Sequence, residues 1–170
     1  MALLLVIDMQ DQFLDGQFRA LSRRIVNLIK VCKSRNDDIL FLEYGNRYTN
    51  KPSKPTIKML LNAVKGYEKF SSATKYDDCG AKEVMEVVKN YKLEDEEIIV
   101  CGVNTSCCVR DTVYYLGQVK GYNRTMIIID DCCANVFDSK SAKQVFENER
   151  SLDNNVTIVS NVDEVLSVKI

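Results

Sequence analysis

Short apolar runs alternate along this chain with segments whose apolar positions recur at helical spacing. Leu3–Asp8 reads as a first strand that ends in a carboxylate, and the loop Met9–Gly16 follows it. Leu21, Ile25, Leu28, Ile29 and Cys32 then mark one face of an amphipathic helix, with Arg23, Arg24 and Lys30 around it. Ile39–Leu42 is predicted as a second strand, and Tyr44–Pro55 as a polar loop holding both prolines. Ile57, Leu60, Leu61 and Val64 predict a short helix, and Tyr67–Thr74 a third, weakly apolar strand. Gly80 opens a helix with Val84, Val87, Val88 and Tyr91 on one face. Ile98–Val100 reads as a buried strand, leading to a helix that carries Val109, Val113, Leu116 and Val119. Thr125–Ile129, bounded by Asp130 and Asp131, is a further strand. Ala142–Phe146 is a brief helix, Thr157–Val159 a last strand, and Asp163–Val168 a final turn or helix.

That alternation points to an α/β fold, a mostly parallel open sheet of about six strands with helices on both faces. Without an internal repeat or a low-complexity segment, residues 1–170 read as a single domain. In such a sheet the site lies beyond the carboxyl ends of the strands. Asp8 and Cys108 each fall at such an end, and so does Lys75 if Tyr67–Thr74 is a strand.

Composition narrows the chemistry. The 46% of hydrophobic residues suits a full core. A formal net charge of -1 with no basic block gives no support to a nucleic-acid or membrane partner. The opening Met1–Ile7 run lacks a basic lead-in and meets Asp8 at once, too short for a signal peptide or a membrane span. Seven cysteines, two pairs of them adjacent in sequence, make a poor disulfide framework, and no Cys-x-x-Cys or histidine builds a zinc site. A reduced, cytoplasmic protein is expected. The chain has no histidine, which removes Ser-His-Asp and Cys-His catalysis and His-ligated metal sites. A cysteine nucleophile here would have to give its proton to a carboxylate, a lysine or water.

The stretch Cys101–Arg110, CGVNTSCCVR, sits where a buried strand gives way to a helix. A thiol there lies beside unpaired N–H groups and the positive end of the helix dipole, which favour thiolate, so Cys108 or Cys107 is placed as a nucleophile. The alternative is that both are small buried hydrophobes. Asp8, directly after an apolar strand, must be solvated, paired or functional, because an unpaired buried charge costs several kcal/mol. Its alternative is a loop residue capping the following turn.

The pairing of Ile7-Asp8-Met9-Gln10-Asp11-Gln12-Phe13 with Gly102-Val103-Asn104-Thr105-Ser106-Cys107-Cys108-Val109 resembles the isochorismatase-like cysteine hydrolase superfamily, which includes nicotinamidases, carbamoylsarcosine amidase and ureidoacrylate amidohydrolase. The resemblance implies a Rossmann-like, three-layer α/β/α fold and a catalytic triad of Asp8, a lysine and Cys108. Two lysines compete for the third place. Lys75, followed by Tyr76-Asp77-Asp78-Cys79-Gly80, fits the family spacing better, whereas Lys69 needs extra residues before the next helix. The aromatic usual in that segment is replaced by Ala81.

By the same resemblance Lys75 stabilises the Cys108 thiolate, Asp8 holds the lysine and moves the proton, and attack on a carbonyl gives a thioester. A cis peptide is implied between Val103 and Asn104, with the N–H groups of Asn104 and Cys108 as the oxyanion hole. Gln10 and Phe13 of the first motif, with Asn46 and Arg47, are the expected substrate-binding residues, Arg47 as a carboxylate clamp; the alternative for Asn46–Tyr48 is an exposed loop. Nicotinamidases carry metal-binding histidines near the second strand. Here that stretch is Glu43-Tyr44-Gly45-Asn46-Arg47-Tyr48, so no catalytic metal or other cofactor is expected and nicotinamide is disfavoured.

Relatives are commonly oligomeric, and a homo-oligomer is expected. Cys32, Cys101, Cys132 and Cys133 are assigned no chemistry, the last two lying beyond a strand end, and Tyr114 and Tyr115 are expected in a core or a subunit interface. The implied activity is hydrolysis of a small amide, ureido or carbamoyl compound. Vinyl ether hydrolysis and a catalytically idle scaffold are the alternatives.

Overall fold

All six residues of strand β1 (Ala2–Ile7) are buried, with none of the alternation a half-exposed strand would show. A parallel strand in mid-sheet, covered by helices on both faces, produces that pattern. In the computed structural model, which describes residues 1–14, 18–46, 48–49, 51–118, 120–136, 138–147 and 155–167, β1 pairs in parallel with β2 (Asp38–Asn46) on one side and β5 (Glu97–Val103) on the other. Beyond β2 lies β4 (Phe70–Lys75), and beyond β5 lie β6 (Met126–Ala134) and β7 (Val156–Val159), all parallel. The two-residue β3 (Lys51–Pro52) pairs antiparallel with the far end of β2.

The six parallel strands therefore lie in the order β4-β2-β1-β5-β6-β7. The chain builds outward from β1 in one direction and then returns to build outward from β5 in the other. The carboxyl ends of β1 and β5 are the point where that direction reverses, the place where sheets of this kind bind their ligands. Helices α1 (Arg19–Ser34), α2 (Lys58–Val64) and α6 (Val162–Ser167) cover one face, α2 and α6 both packing on α1. α3 (Ala81–Tyr91) and α4 (Arg110–Gln118) pack on each other, on the opposite face if the crossovers have the usual right hand, and α5 (Ala142–Glu147) follows β6. On α1 the buried residues Leu21, Ile25, Leu28, Ile29 and Cys32 are those of the predicted stripe. Burial of each large aliphatic side chain in this core contributes about 1.5–3 kcal/mol.

Several boundaries differ from the sequence reading. Tyr44–Pro55 is not wholly loop, since β2 runs on to Asn46 and β3 pairs with it. Pairing holds these polar residues in strand form, with Glu43 opposite Thr74 and Tyr44 opposite Lys75. Likewise β6 does not stop at Asp130-Asp131 but continues through a register shift opposite β5 to Ala134. Cys132 and Cys133 are therefore buried strand residues and not part of a loop beyond it. Tyr114 and Tyr115 stack edge to face, and Tyr115 is exposed. Val119 and Val168 fall outside the described residues. No described helix is long and apolar enough to cross a membrane.

Candidate active site

Asp8 follows β1 with φ 53°, in the left-handed region that a short polar side chain tolerates better than most, while its N–H still donates to Leu42 O at 2.9 Å. The residue is completely buried. So is Lys75, the last residue of β4, which reaches across β2 to place Nζ 2.9 Å from Asp8 Oδ2. The ammonium also donates to the carbonyl oxygens of Asp77 at 3.0 Å and Asp78 at 3.3 Å. It lies 4.9 Å from the centroid of the Tyr44 ring, a cation–π contact. Gly80 leaves room for the lysine stem, since a Cβ there would stand 2.9 Å from Lys75 Cδ and 2.3 Å from Leu42 Cδ2. Asp8 Oδ1 is buried and accepts no hydrogen bond among the described residues.

The third group arrives from β5. The peptide bond between Val103 and Asn104 is cis, and the chain then winds through a π-helical turn, Thr105–Val109, into α4. Asn104 organises this turn. Its carbonyl accepts the N–H of Cys107 at 3.2 Å and of Val109 at 3.0 Å, and its side-chain Oδ1 accepts the N–H of Val136 at 2.9 Å. Asn135 accepts the N–H of Ser106 at 2.7 Å, so the segment after β6 ties the turn down from outside. Cys108 is thereby held almost fully buried, 5% exposed, beside Asp8 and Lys75, with the Asn104 N–H donating to its sulfur. Asp78 Oδ1 lies 4.0 Å from Cys108 Sγ.

Burial raises the Asp8 carboxyl above its ordinary value, and the Lys75 ammonium only partly offsets it. For Lys75, burial alone would lower the value. Attraction to Asp8 and Cys108 outweighs it, and the ammonium is held above its ordinary range. Burial, reinforced by the Asp8 carboxylate, pushes the Cys108 thiol up to about 12 despite Lys75 and the Asn104 N–H. The sequence reading expects a helix terminus and a lysine to favour thiolate. In the folded protein desolvation and a neighbouring anion prevail, and the resting site holds a thiol, a carboxylate and an ammonium.

The other expected site residues are distributed differently. Gln10 is fully buried and both its amide hydrogens are spent on the carbonyls of Tyr44 and Lys54, while Oε1 accepts the Tyr44 N–H at 2.7 Å. It is a positioning residue that pins the 44–54 segment, not one that can offer its donors to a substrate. Phe13 meets the Tyr44 ring edge to face at 6.1 Å. Asn46 is exposed and its side chain accepts the Tyr48 N–H at 2.8 Å. Arg47 lies outside the described residues. Lys69 is at the amino end of the sheet, donating to Asn36 O at 2.9 Å and 3.8 Å from Asp38 Oδ2, well away from Asp8 and Cys108.

Glu43 accepts both the N–H and the Oγ1–H of Thr56 at 2.7 Å. No group of three or more cysteine and carboxylate side chains among the described residues is placed to hold a metal ion. Tyr44 and Asp78 are site residues that sequence reasoning passes over. The signals were there, because Tyr44 stands two residues past the apolar core of β2 and Asp78 three past Lys75.

Gln10→Ala is expected to cost about 1–3 kcal/mol by leaving buried backbone groups of the 44–54 segment unpaired. Urea unfolding gives the loss. Hydrogen exchange should show it concentrated at the Tyr44 amide; a uniform loss of protection would mean that Gln10 does not act through this segment.

The family model for the isochorismatase domain matches residues 2–161. No curated protein matches the chain by sequence. Among solved structures, a cysteine hydrolase from Pseudomonas syringae pv. phaseolicola superposes with a TM-score of 0.73 at 18% identity, over 98% of this chain and 91% of that one. An isochorismatase family protein from Desulfovibrio vulgaris gives 0.74 at 14% identity, over 98% of both chains. The nicotinamidase of Bacillus subtilis gives 0.71 at 15% identity, over 92% of this chain and 98% of that one. At such identities these likenesses speak to the fold alone.

Proposed function

The chain belongs to the isochorismatase family, and from that premise we propose that it is a cysteine hydrolase cleaving a C–N bond of a small amide, ureido or carbamoyl substrate through a thioester. The observation that carries this reading is the fully buried Asp8–Lys75 ion pair at 2.9 Å, closed against the nearly buried Cys108 thiol. Taking a charged pair out of water costs free energy even when the charges are paired, and such pairs cluster at functional sites.

The thiol is activated by an internal transfer. Its proton passes to Asp8, whose carboxyl burial has already made more willing to hold one. The resulting thiolate is stabilised by the Lys75 ammonium, and the net charge of the three groups does not change. Sγ attacks the carbonyl carbon, and the oxyanion that forms is met by the backbone N–H groups of Asn104 and Cys108. Asp8 returns the proton to the leaving nitrogen as the C–N bond breaks, which leaves a thioester and an amine or ammonia. Water then adds to the thioester with Asp8 as base. The acid departs, and the proton goes back to sulfur.

The test is ammonia or amine release from a panel of small amides, ureido and carbamoyl compounds, with mass spectrometry of the protein during turnover. An acyl adduct on Cys108 is expected, and Cys108→Ala should lose both adduct and turnover. Turnover that survives in Cys108→Ala would sink the thioester route and favour the vinyl ether reading, which needs no thiol nucleophile.

A second expectation separates the roles of Asp8. Next to burial, its carboxylate is the largest influence holding the thiol at about 12. Removing that anion favours thiolate. Asp8→Asn should therefore alkylate faster with iodoacetamide at Cys108 near pH 7, yet hydrolyse substrate about 10²–10⁴-fold more slowly for want of a proton carrier. Slower alkylation at Cys108 would show that Asp8 does not hold the thiol proton.

A further inference from the structure

Four side-chain charges lie around the sulfur that would receive the substrate, besides one ion pair of the rim, and they do not balance. Asp8 and Lys75 cancel, and the lysine is fully engaged by Asp8, two carbonyl oxygens and the Tyr44 ring. On the open side stands Asp78, solvent-exposed, with Oδ1 4.0 Å from Cys108 Sγ. Further along the same rim Asp138 accepts from Ser106 Oγ at 3.4 Å, and Arg110 is bound to Asp111 at 2.7 Å. Besides burial, the neighbouring thiol of Cys107 feels Asp78, Asp111 and Asp138, with Arg110 opposing them. A group attached to a carbonyl carbon bonded to Cys108 Sγ can therefore come within a few ångströms of the Asp78 carboxylate.

We propose that Asp78 is the specificity-determining residue of this site, selecting small amides that carry a cationic group, an ammonium or a guanidinium, near the scissile carbonyl and rejecting those that carry a carboxylate. The inference rests on the cysteine hydrolase reading above. Its physical basis is the distance dependence of charge interactions. At about 4 Å two unit charges interact by a factor of several in bulk water and by far more at a protein surface, and the effect changes sign with the charge of the substrate. The exposed position of Asp78 suits this task, because a side chain in contact with solvent can exchange water for a substrate cation. The selection opposes the carboxylate clamp expected of Arg47, so one experiment decides between the two.

The experiment uses the intact protein carrying Cys107→Ser and three thiol reagents of one size class: the cationic trimethylammonioethyl, the anionic sulfonatoethyl and the neutral methyl methanethiosulfonates. Rates of Cys108 modification are followed by mass spectrometry at low ionic strength, with each charged reagent normalised to the neutral one. This normalisation removes any change in the reactivity of the thiol itself. A cation-to-anion ratio of about 10-fold or more is expected, falling at least about 5-fold in Asp78→Asn and shrinking in 0.5 M salt. A ratio near one, or one that Asp78→Asn leaves in place, overturns the assignment while the hydrolase reading stands. A preference for the anionic reagent that disappears in Arg47→Ala overturns it in favour of the clamp. If Cys108 is inert to all three reagents in the folded protein, the hydrolase reading fails first and takes this inference with it.

Discussion

Lys75→Met is expected to destabilise the protein by about 3–5 kcal/mol near pH 7, because it strands the Asp8 carboxylate, fully buried, without its counter-ion. The loss should depend on pH in a defined direction. The Asp8 carboxyl is held above its ordinary value of 3.8 even with the lysine present. A group whose folded value exceeds its unfolded one binds protons more tightly when folded, so stability falls as pH rises through the interval between them. Removing the ammonium widens that interval upward. The deficit of Lys75→Met relative to the parent should therefore be largest at neutral pH and shrink as pH falls toward 4. Adding Asp8→Asn to Lys75→Met should restore most of the stability, since a neutral amide leaves no orphaned charge. Urea unfolding of the parent, the single and the double variant at pH 5 and pH 7 measures all of this. A pH-independent deficit, or no recovery in the double variant, would show that the pair is not coupled as described. Turnover should fall about 10²–10³-fold in the single variant and stay low in the double one, because the thiolate loses the buried ammonium beside it.

Gly102→Ala is expected to be at least as damaging, by a different route. Gly102 has φ +124°, a conformation that L side chains rarely adopt, and a Cβ there would lie 2.1 Å from Ile7 O and 2.7 Å from Ile7 N. Both neighbours are backbone of the adjacent strand, which is itself paired on its other side with Leu42, so nothing can step aside. A loss of about 4 kcal/mol or more, seen as poor recovery of folded protein and an early urea midpoint, is the expected outcome. Gly121→Ala serves as the reference. It too has positive φ, +68°, but nothing lies within 4 Å of its added Cβ, so only about 1 kcal/mol of backbone preference is lost. Equal effects at the two positions would mean that strand proximity is not what glycine provides at 102. The same change would also move Asp8 and Asn104, which flank the contact on its two strands, so any folded Gly102→Ala protein should be a poor catalyst.

Much of this architecture was legible in the chain because burial on both faces of a parallel sheet writes itself as continuous apolar runs, as in Leu3–Ile7 and Ile98–Val100. The position of Cys108 was legible for the same reason, a buried strand followed at once by helical periodicity. β4 was harder to read. As an edge strand it is mostly half-buried, with Lys75 its one fully covered residue, and a lysine does not announce burial. The extension of β2 through Tyr44 and Asn46 was illegible locally, because pairing with β3 and β4, remote in sequence, makes it a strand. Asp78 lay in plain view beside Lys75, but its approach to the sulfur depends on how the turn after β4 folds against the π-helical turn. The protonation of Cys108 could not be read either. Residue types show which charges are available, and only depth from solvent shows that desolvation outweighs them.

The pairing of β1 with β5 has a further consequence, for the chain as it is made. Ala2–Ile7 finds its central partner at Glu97–Gly102, about 95 residues later, which at ordinary rates of synthesis is about 5–20 s of elongation. Through that interval the least polar segment of the protein has β2 for company on one edge and nothing on the other. Folding on the ribosome is therefore governed by how long an open hydrophobic edge survives, and crowded or chaperone-poor conditions should lower yield before they lower stability. Asp8 is the first charged side chain in the sequence and stands directly against that edge. A charge flanking an apolar strand disfavours association of unfinished chains, and this one is in place long before Lys75 and Cys108 have been brought to meet it.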